Sequence, residues 1–360
     1  MVKDTKTSKI AFGIYFYIAL CFILIRMLSS FGFLNFLNGY AGYAFTIVIQ
    51  IVLLFGGSVF VFSALSKKKV KDTLNFYNYK RISIKTVFIS VLVGVVVFFL
   101  NVFISSFFSS ILSWIGYKSS STSSTITNYP VWLLFVNIIF TAVLPAICEE
   151  TAHRGMILSV SNRYGYMKAI LISSILFGLL HLNIEQFFYA TIIGLFLGYI
   201  TPLCGSIFPA MIVHFMNNAL SVYLTFANVR GLGFAGIFVK ISAIIQTNAF
   251  IGIIFVIAFV ILLLILLYKL TQSLLVSSAF DGIMNRQKSL DKIFKKEMFL
   301  KGQSDKKVNL IEISDKELLD FITVAYHPSK MDKVSKILLI LIILMTSAVT
   351  IFTLVWGLLW

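Results

Sequence analysis

Charged side chains are scarce in this chain. Asp, Glu, Lys and Arg make up 12% of its 360 residues, against about 25% in soluble domains, and that deficit excludes an ordinary water-soluble fold. Proline is rarer still, at five residues, which argues against disordered or low-complexity linkers. The three cysteines, Cys21, Cys148 and Cys204, each sit in an apolar run and cannot build a disulfide framework. What fills the chain instead is apolar: 59% hydrophobic residues, 36 phenylalanines and a mean hydropathy of +0.96. An integral membrane protein is expected.

The net charge of +16, from 30 Lys and Arg against 14 Asp and Glu, would suit nucleic acid if the basic residues shared one soluble face. They gather instead in loops that alternate along the chain, the positive-inside pattern of a multi-pass protein. Lys67, Lys68, Lys69, Lys71, Lys80, Arg81 and Lys85 make the second connection basic, and Arg163 and Lys168 flank a later one. The opposite connections hold no basic residue in 31–41, Lys118 in the Ser/Thr-rich loop 116–129, and Arg230 with Lys240. The expected partner is therefore the lipid bilayer, with no nucleic acid. The expected location is the cell membrane, with the N-terminus and segment 270–336 cytoplasmic and the C-terminus outside. Arg26 runs against the rule and is read as snorkelling to the outer surface.

Apolar stretches of spanning length, about 20 residues, run roughly 10–30, 42–64, 86–115, 131–163, 168–184, 186–201, 206–227, 246–268 and 337–359. The fifth and sixth are short and poorly separated, so an all-α transmembrane bundle of eight or nine spans is expected. Residues 270–336 hold nine of the fourteen acidic residues and read as a small cytosolic insert. Within it, Leu290–Lys296 resembles an amphipathic helix on the membrane surface, and His327 reads as a solvated loop histidine.

Three acidic residues remain for the membrane body: Glu149, Glu150 and Glu185. A carboxylate inside a span costs about 2.5–3.5 kcal/mol on insertion scales and is a functional candidate by default. Glu185, near the outer end of a span, reads as interfacial. Glu149 lies about 21 Å from the turn after Arg163, and His181 about 20 Å along the antiparallel neighbour, so the two meet at one depth. His214, about 12 Å past the turn at Gly205, approaches the same layer. Glu150 and Arg154 are four apart on one helical face, the favourable order for an ion pair. Glu149 points about 100° away, toward another partner. Adjacent carboxylates repel and so do not hold their protons alike, which suits general acid/base work. His214 and Asn218, again four apart, offer two N–H donors on one face, as an oxyanion site requires.

These residues carry a resemblance to the CaaX protease and bacteriocin-processing family of intramembrane proteases, also called Abi or CPBP. Its E-E-x-x-x-R motif stands as Glu149-Glu150-Thr151-Ala152-His153-Arg154, its F-x-x-x-H motif as Phe177-Gly178-Leu179-Leu180-His181, and its H-x-x-x-N motif as His214-Phe215-Met216-Asn217-Asn218. All three occur in family order on successive spans. The resemblance covers roughly 85–230, with 1–84, 231–269, 270–336 and 337–360 as additions. It implies an intramembrane glutamic endopeptidase acting on a membrane-associated peptide or protein precursor. Glu149 would activate water and His181 help to position it. His214 and Asn218 would stabilise the oxyanion, Arg154 would hold Glu150, and Phe177 would pack beside the site. No cofactor is expected. There is no H-E-x-x-H, although Glu149, Glu150, His181 and His214 are the set that would ligate a zinc ion.

The rival reading is a non-catalytic membrane scaffold or bacteriocin immunity protein with the same fold. A proton relay in a transporter is disfavoured because no paired halves or broken helices are visible. His153 reads as a supporting residue. Cys148 reads as an inert buried thiol. Gly194 and Gly198 read as small-residue helix packing.

Overall fold

The computed structural model describes residues 5–36, 40–119, 129–232, 249–301 and 329–359, and among them every regular element is helical. Eight of these helices are long and apolar enough to cross a membrane. They are α1 (Thr5–Ser30), α2 (Ala41–Ser66), α4 (Ile84–Trp114), α5 (Val131–Tyr164), α7 (Ile184–Cys204), α8 (Phe208–Val229), the Ile254–Met284 part of α9 (Ala249–Lys301) and α10 (Lys333–Leu359). The short α3 (Val70–Phe76) lies in the basic second connection. The remaining apolar helix, α6 (Tyr166–Leu180), has 15 residues, about 22 Å, too short to span alone. Asn183 ends that stretch by capping α7, its side chain accepting from the Glu185 amide at 2.9 Å. This is why the fifth and sixth apolar runs were hard to separate.

Helix α9 runs without a break from the eighth apolar run to Lys301. The first half of segment 270–336, including Leu290–Lys296, is thus helical and continuous with a span. Asp281 on α9 accepts from the Ser83 amide at 2.9 Å and from Thr86 Oγ1 at 2.6 Å, which ties α9 to the start of α4. His327, Lys240 and most of the Ser/Thr-rich loop lie outside the described residues.

Two apolar clusters organise the bundle. One joins Phe12, Tyr15 and Ile18 of α1 to Phe62 of α2 and Met156 and Ile157 of α5. The other joins Val93 of α4 to Leu197 and Ile200 of α7 and Val213 of α8. Lipid tails are as apolar as these side chains, so close packing holds the helices rather than exclusion of water. Gly178 shows how close α6 and α7 come: an added Cβ would stand 2.0 Å from Thr191 Oγ1 and 2.8 Å from the Phe187 carbonyl oxygen. Gly178→Ala is expected to destabilise the fold by about 1–3 kcal/mol through overpacking. A thermal midpoint in detergent equal to that of the unaltered protein would contradict the close approach.

Candidate active site

The seam between the two clusters is polar, and α5 supplies most of it. This helix is not uniformly α-helical. Ile139–Val143 and Thr151–Ile157 are π-helical turns, on either side of the Leu144–Glu150 stretch that carries the glutamates. Such wide turns are frequent at functional sites. Pro145 has no N–H for the carbonyl of Thr141 four residues earlier. That carbonyl accepts instead from Asn218 Nδ2 on α8, at 3.1 Å. A neighbouring helix satisfies what the proline frees, as a membrane interior demands.

Glu150 and Arg154 form a fully buried pair, Nη1 to Oε1 2.8 Å. The same carboxylate oxygen lies 2.8 Å from His214 Nδ1 on α8. An ionised carboxylate only accepts, so Nδ1 carries the proton of this bond. Arg154 Nη2 donates to the Gly194 carbonyl on α7 at 3.1 Å. One charged knot therefore joins α5, α7 and α8 across the seam. Gly194, expected only as packing, also supplies this acceptor. Glu150 Oε2 and Arg154 Nε are buried without a partner among the described residues.

Glu149 faces another way. Its Oε1 accepts from Gln50 Nε2 on α2 at 3.0 Å, and its Oε2 stands 3.9 Å from His214 Nε2, beyond hydrogen-bond range. The Glu149 side chain keeps 14% exposure where Glu150 keeps none. Of the two carboxylates, Glu149 is the one a substrate or water can reach.

Phe177 on α6 gathers the remaining groups. Arg154 Cζ lies over its ring at 4.5 Å, a cation–π contact. The rings of His153, His181 and His214 meet it edge-on, with centroids 5.0, 5.3 and 5.7 Å away. His181 follows the last residue of α6, and its ring has no hydrogen-bond partner among the described residues. His153 is fully buried; its Nδ1 donates to the Glu149 carbonyl at 2.7 Å, and its Nε2 lies 2.8 Å from the Tyr15 hydroxyl of α1. It supports the Glu149 backbone and does not face the open side of the site.

Glu150, Arg154, His181 and His214 thus come together through direct bonds or through Phe177, and Glu149 stands beside them with Oε2 3.9 Å from His214 Nε2. Asn218 is held differently. It shares a face with His214, but the two side chains are not aimed at one point: His214 Nδ1 turns to Glu150, and Asn218 Nδ2 turns to Thr141. Asn218 Oδ1 accepts from Asn217 at 3.0 Å, and Asn217 accepts from Asn101 of α4 at 3.1 Å. Gln50, Tyr15, Asn101 and Asn217 are residues the sequence reading did not single out. The available signal was weak: a long primary amide within Ile47–Phe55 needs a partner once buried, but nothing in the sequence says which.

A bound divalent ion requires three or four converging donors. Among the described residues no three His, Cys, Asp or Glu side chains are grouped to hold one, and the shared Glu150 oxygen is already taken by Arg154 and His214. So arranged, the donor set does not fit a zinc ion.

Residues 130–220 match the family model described as Rce1-like, type II CAAX prenyl endopeptidase Rce1-like. This segment is Rce1-like. The match is a likeness to the CaaX protease and bacteriocin-processing family over this segment, and it supports a CAAX-type intramembrane protease in general terms. The Rce1-like segment contains all three motifs, from Glu149 to Asn218, while Tyr15, Gln50 and Asn101 lie outside it. No curated protein and no solved structure matches the chain.

Proposed function

We propose that the protein is an intramembrane endopeptidase in which Glu149 activates water against a peptide bond of a membrane-associated peptide or protein precursor. The observation that carries this reading is the facing pair of Glu149 Oε2 and His214 Nε2, 3.9 Å apart on the more exposed side of the glutamates. Glu149 takes a proton from water, and the water oxygen bonds to the scissile carbonyl carbon. The C–N bond then breaks, and the proton held by Glu149 passes to the leaving amine. When His214 carries a proton on each ring nitrogen, Nδ1–H holds Glu150 and Nε2–H faces Glu149. His214 Nε2–H then donates to the oxyanion, while Asn218 holds the Thr141 carbonyl and so braces the glutamate-bearing helix. His181 orients the water, and Glu150 with Arg154 fixes His214.

The topology proposed with this mechanism puts the N-terminus and segment 270–336 in the cytoplasm. A tag at residue 300 is expected to react with a membrane-impermeant reagent only after cells are opened; labelling in intact cells would reverse the orientation.

The test of function compares membrane and secreted peptides from cells carrying the unaltered chain, Glu149→Ala or His181→Ala at matched protein levels. A peptide whose cleaved form disappears in both variants supports the protease and identifies its substrate. Identical peptide pools, with both variants rescuing a deletion phenotype, would favour the scaffold or immunity reading.

A further inference from the structure

Gln50 stands out among the polar groups around Glu149. It lies on α2 within the π-helical stretch Val48–Val61, outside the Rce1-like segment, and it is 8% exposed. Its Nε2 makes the one hydrogen bond that the Glu149 carboxylate receives among the described residues, at 3.0 Å. An ionised carboxylate only accepts, so the amide must present its NH2 to Glu149 and leave its oxygen turned away. Gln50 Oε1 is accordingly buried and without a partner among the described residues. A buried primary amide costs stability unless its donors and acceptor are used, and here the used half is the half that holds Glu149.

Two other contacts act on Glu149 and leave its carboxylate free to turn. His153 holds only the Glu149 backbone carbonyl, at 2.7 Å. His214 Nε2, at 3.9 Å, is too far from Oε2 to fix it. A glutamate side chain has three rotatable bonds, so without a donor on Oε1 its Oε2 is not fixed toward His214.

We propose that Gln50 is a positioning residue: by binding Glu149 Oε1 it holds Oε2 facing His214 Nε2, where water is deprotonated. The inference rests on the protease reading for its catalytic consequence, whereas the hydrogen bond itself stands apart from that reading. The second span thus completes a site whose motifs lie on α5, α6 and α8.

The experiment uses the full chain reconstituted in phosphatidylcholine vesicles, with Gln50→Met and Gln50→Asn. The first removes the donor at similar size, and the second withdraws it by one methylene. On the peptide identified by its dependence on Glu149, kcat is expected to fall by roughly tenfold to a hundredfold, the scale of a misplaced reacting group, with KM nearly unchanged. Infrared difference spectra against Glu149→Gln isolate the carboxylate stretch of Glu149, and both Gln50 variants are expected to shift that band. An unshifted band in folded variants overturns the inference whether or not a substrate has been found. A shifted band with unchanged kcat overturns the catalytic role. A shifted band in a protein that cleaves no peptide supports the hydrogen bond and removes the protease reading instead.

Discussion

Glu149→Gln is expected to lower peptide cleavage by roughly a hundredfold to ten-thousandfold, the usual contribution of a general base, while leaving the fold intact. The new amide has nearly the shape of the carboxylate, and its oxygen still accepts from Gln50, so packing on α2 is kept. What is lost is the basic oxygen 3.9 Å from His214 Nε2. The same exchange at Glu150 behaves differently. Glu150 is fully buried and balances Arg154, so Glu150→Gln removes the charge partner of an enclosed guanidinium and lowers stability first. Cleaved peptide measured by mass spectrometry, with protein level and thermal midpoint measured in parallel, separates the two. Glu149→Gln with undiminished cleavage would remove Glu149 as the base.

The spans were legible because an apolar run of about 20 residues has few other fates. The eight spans followed from that alone, except where a local device intervened, as Asn183 does between α6 and α7. The glutamates were legible for the opposite reason: charge is so unusual in this interior that two adjacent carboxylates announce themselves. Helical spacing then gave the Glu150–Arg154 pair and the divergence of Glu149, since both depend only on the angle between neighbouring positions on one helix. Contacts between helices were not legible. Gln50 reaches Glu149 across 99 residues of sequence, and Tyr15 reaches His153 across 138. The spacing of His214 and Asn218 predicted two donors on one face, and it could not register that Pro145 on another helix frees a carbonyl for one of them. The π-helical turns flanking the glutamates also escaped the reading, because they arise from packing and leave no residue pattern. Family likeness adds little here: the Rce1-like segment ends at residue 220 and begins at 130, so the first two spans contribute to the site from outside it.

Arg154→Leu is expected to be the most destabilising single change in the site, by about 3–5 kcal/mol, because it strands the Glu150 charge in a water-poor interior. The guanidinium serves three groups at once: Glu150 Oε1 at 2.8 Å, the Gly194 carbonyl at 3.1 Å and the Phe177 ring at 4.5 Å. Lysine cannot replace it, since a single ammonium lacks the planar fork that reaches a carboxylate on one side and a carbonyl on the other while stacking on a ring. Arg154→Lys should therefore fall between the unaltered protein and Arg154→Leu. Adding Glu150→Gln to Arg154→Leu removes the stranded charge, and the double variant should recover part of the loss. Thermal midpoints in detergent for the four proteins test this order. If Arg154→Leu unfolds with the unaltered protein, the buried pair does not hold α5, α7 and α8 together. If the double variant is no more stable than Arg154→Leu, the loss comes from the contacts to Gly194 and Phe177 rather than from the uncompensated carboxylate. In either case the consequence reaches the chemistry, because His214 is oriented by the same Glu150 oxygen that Arg154 holds.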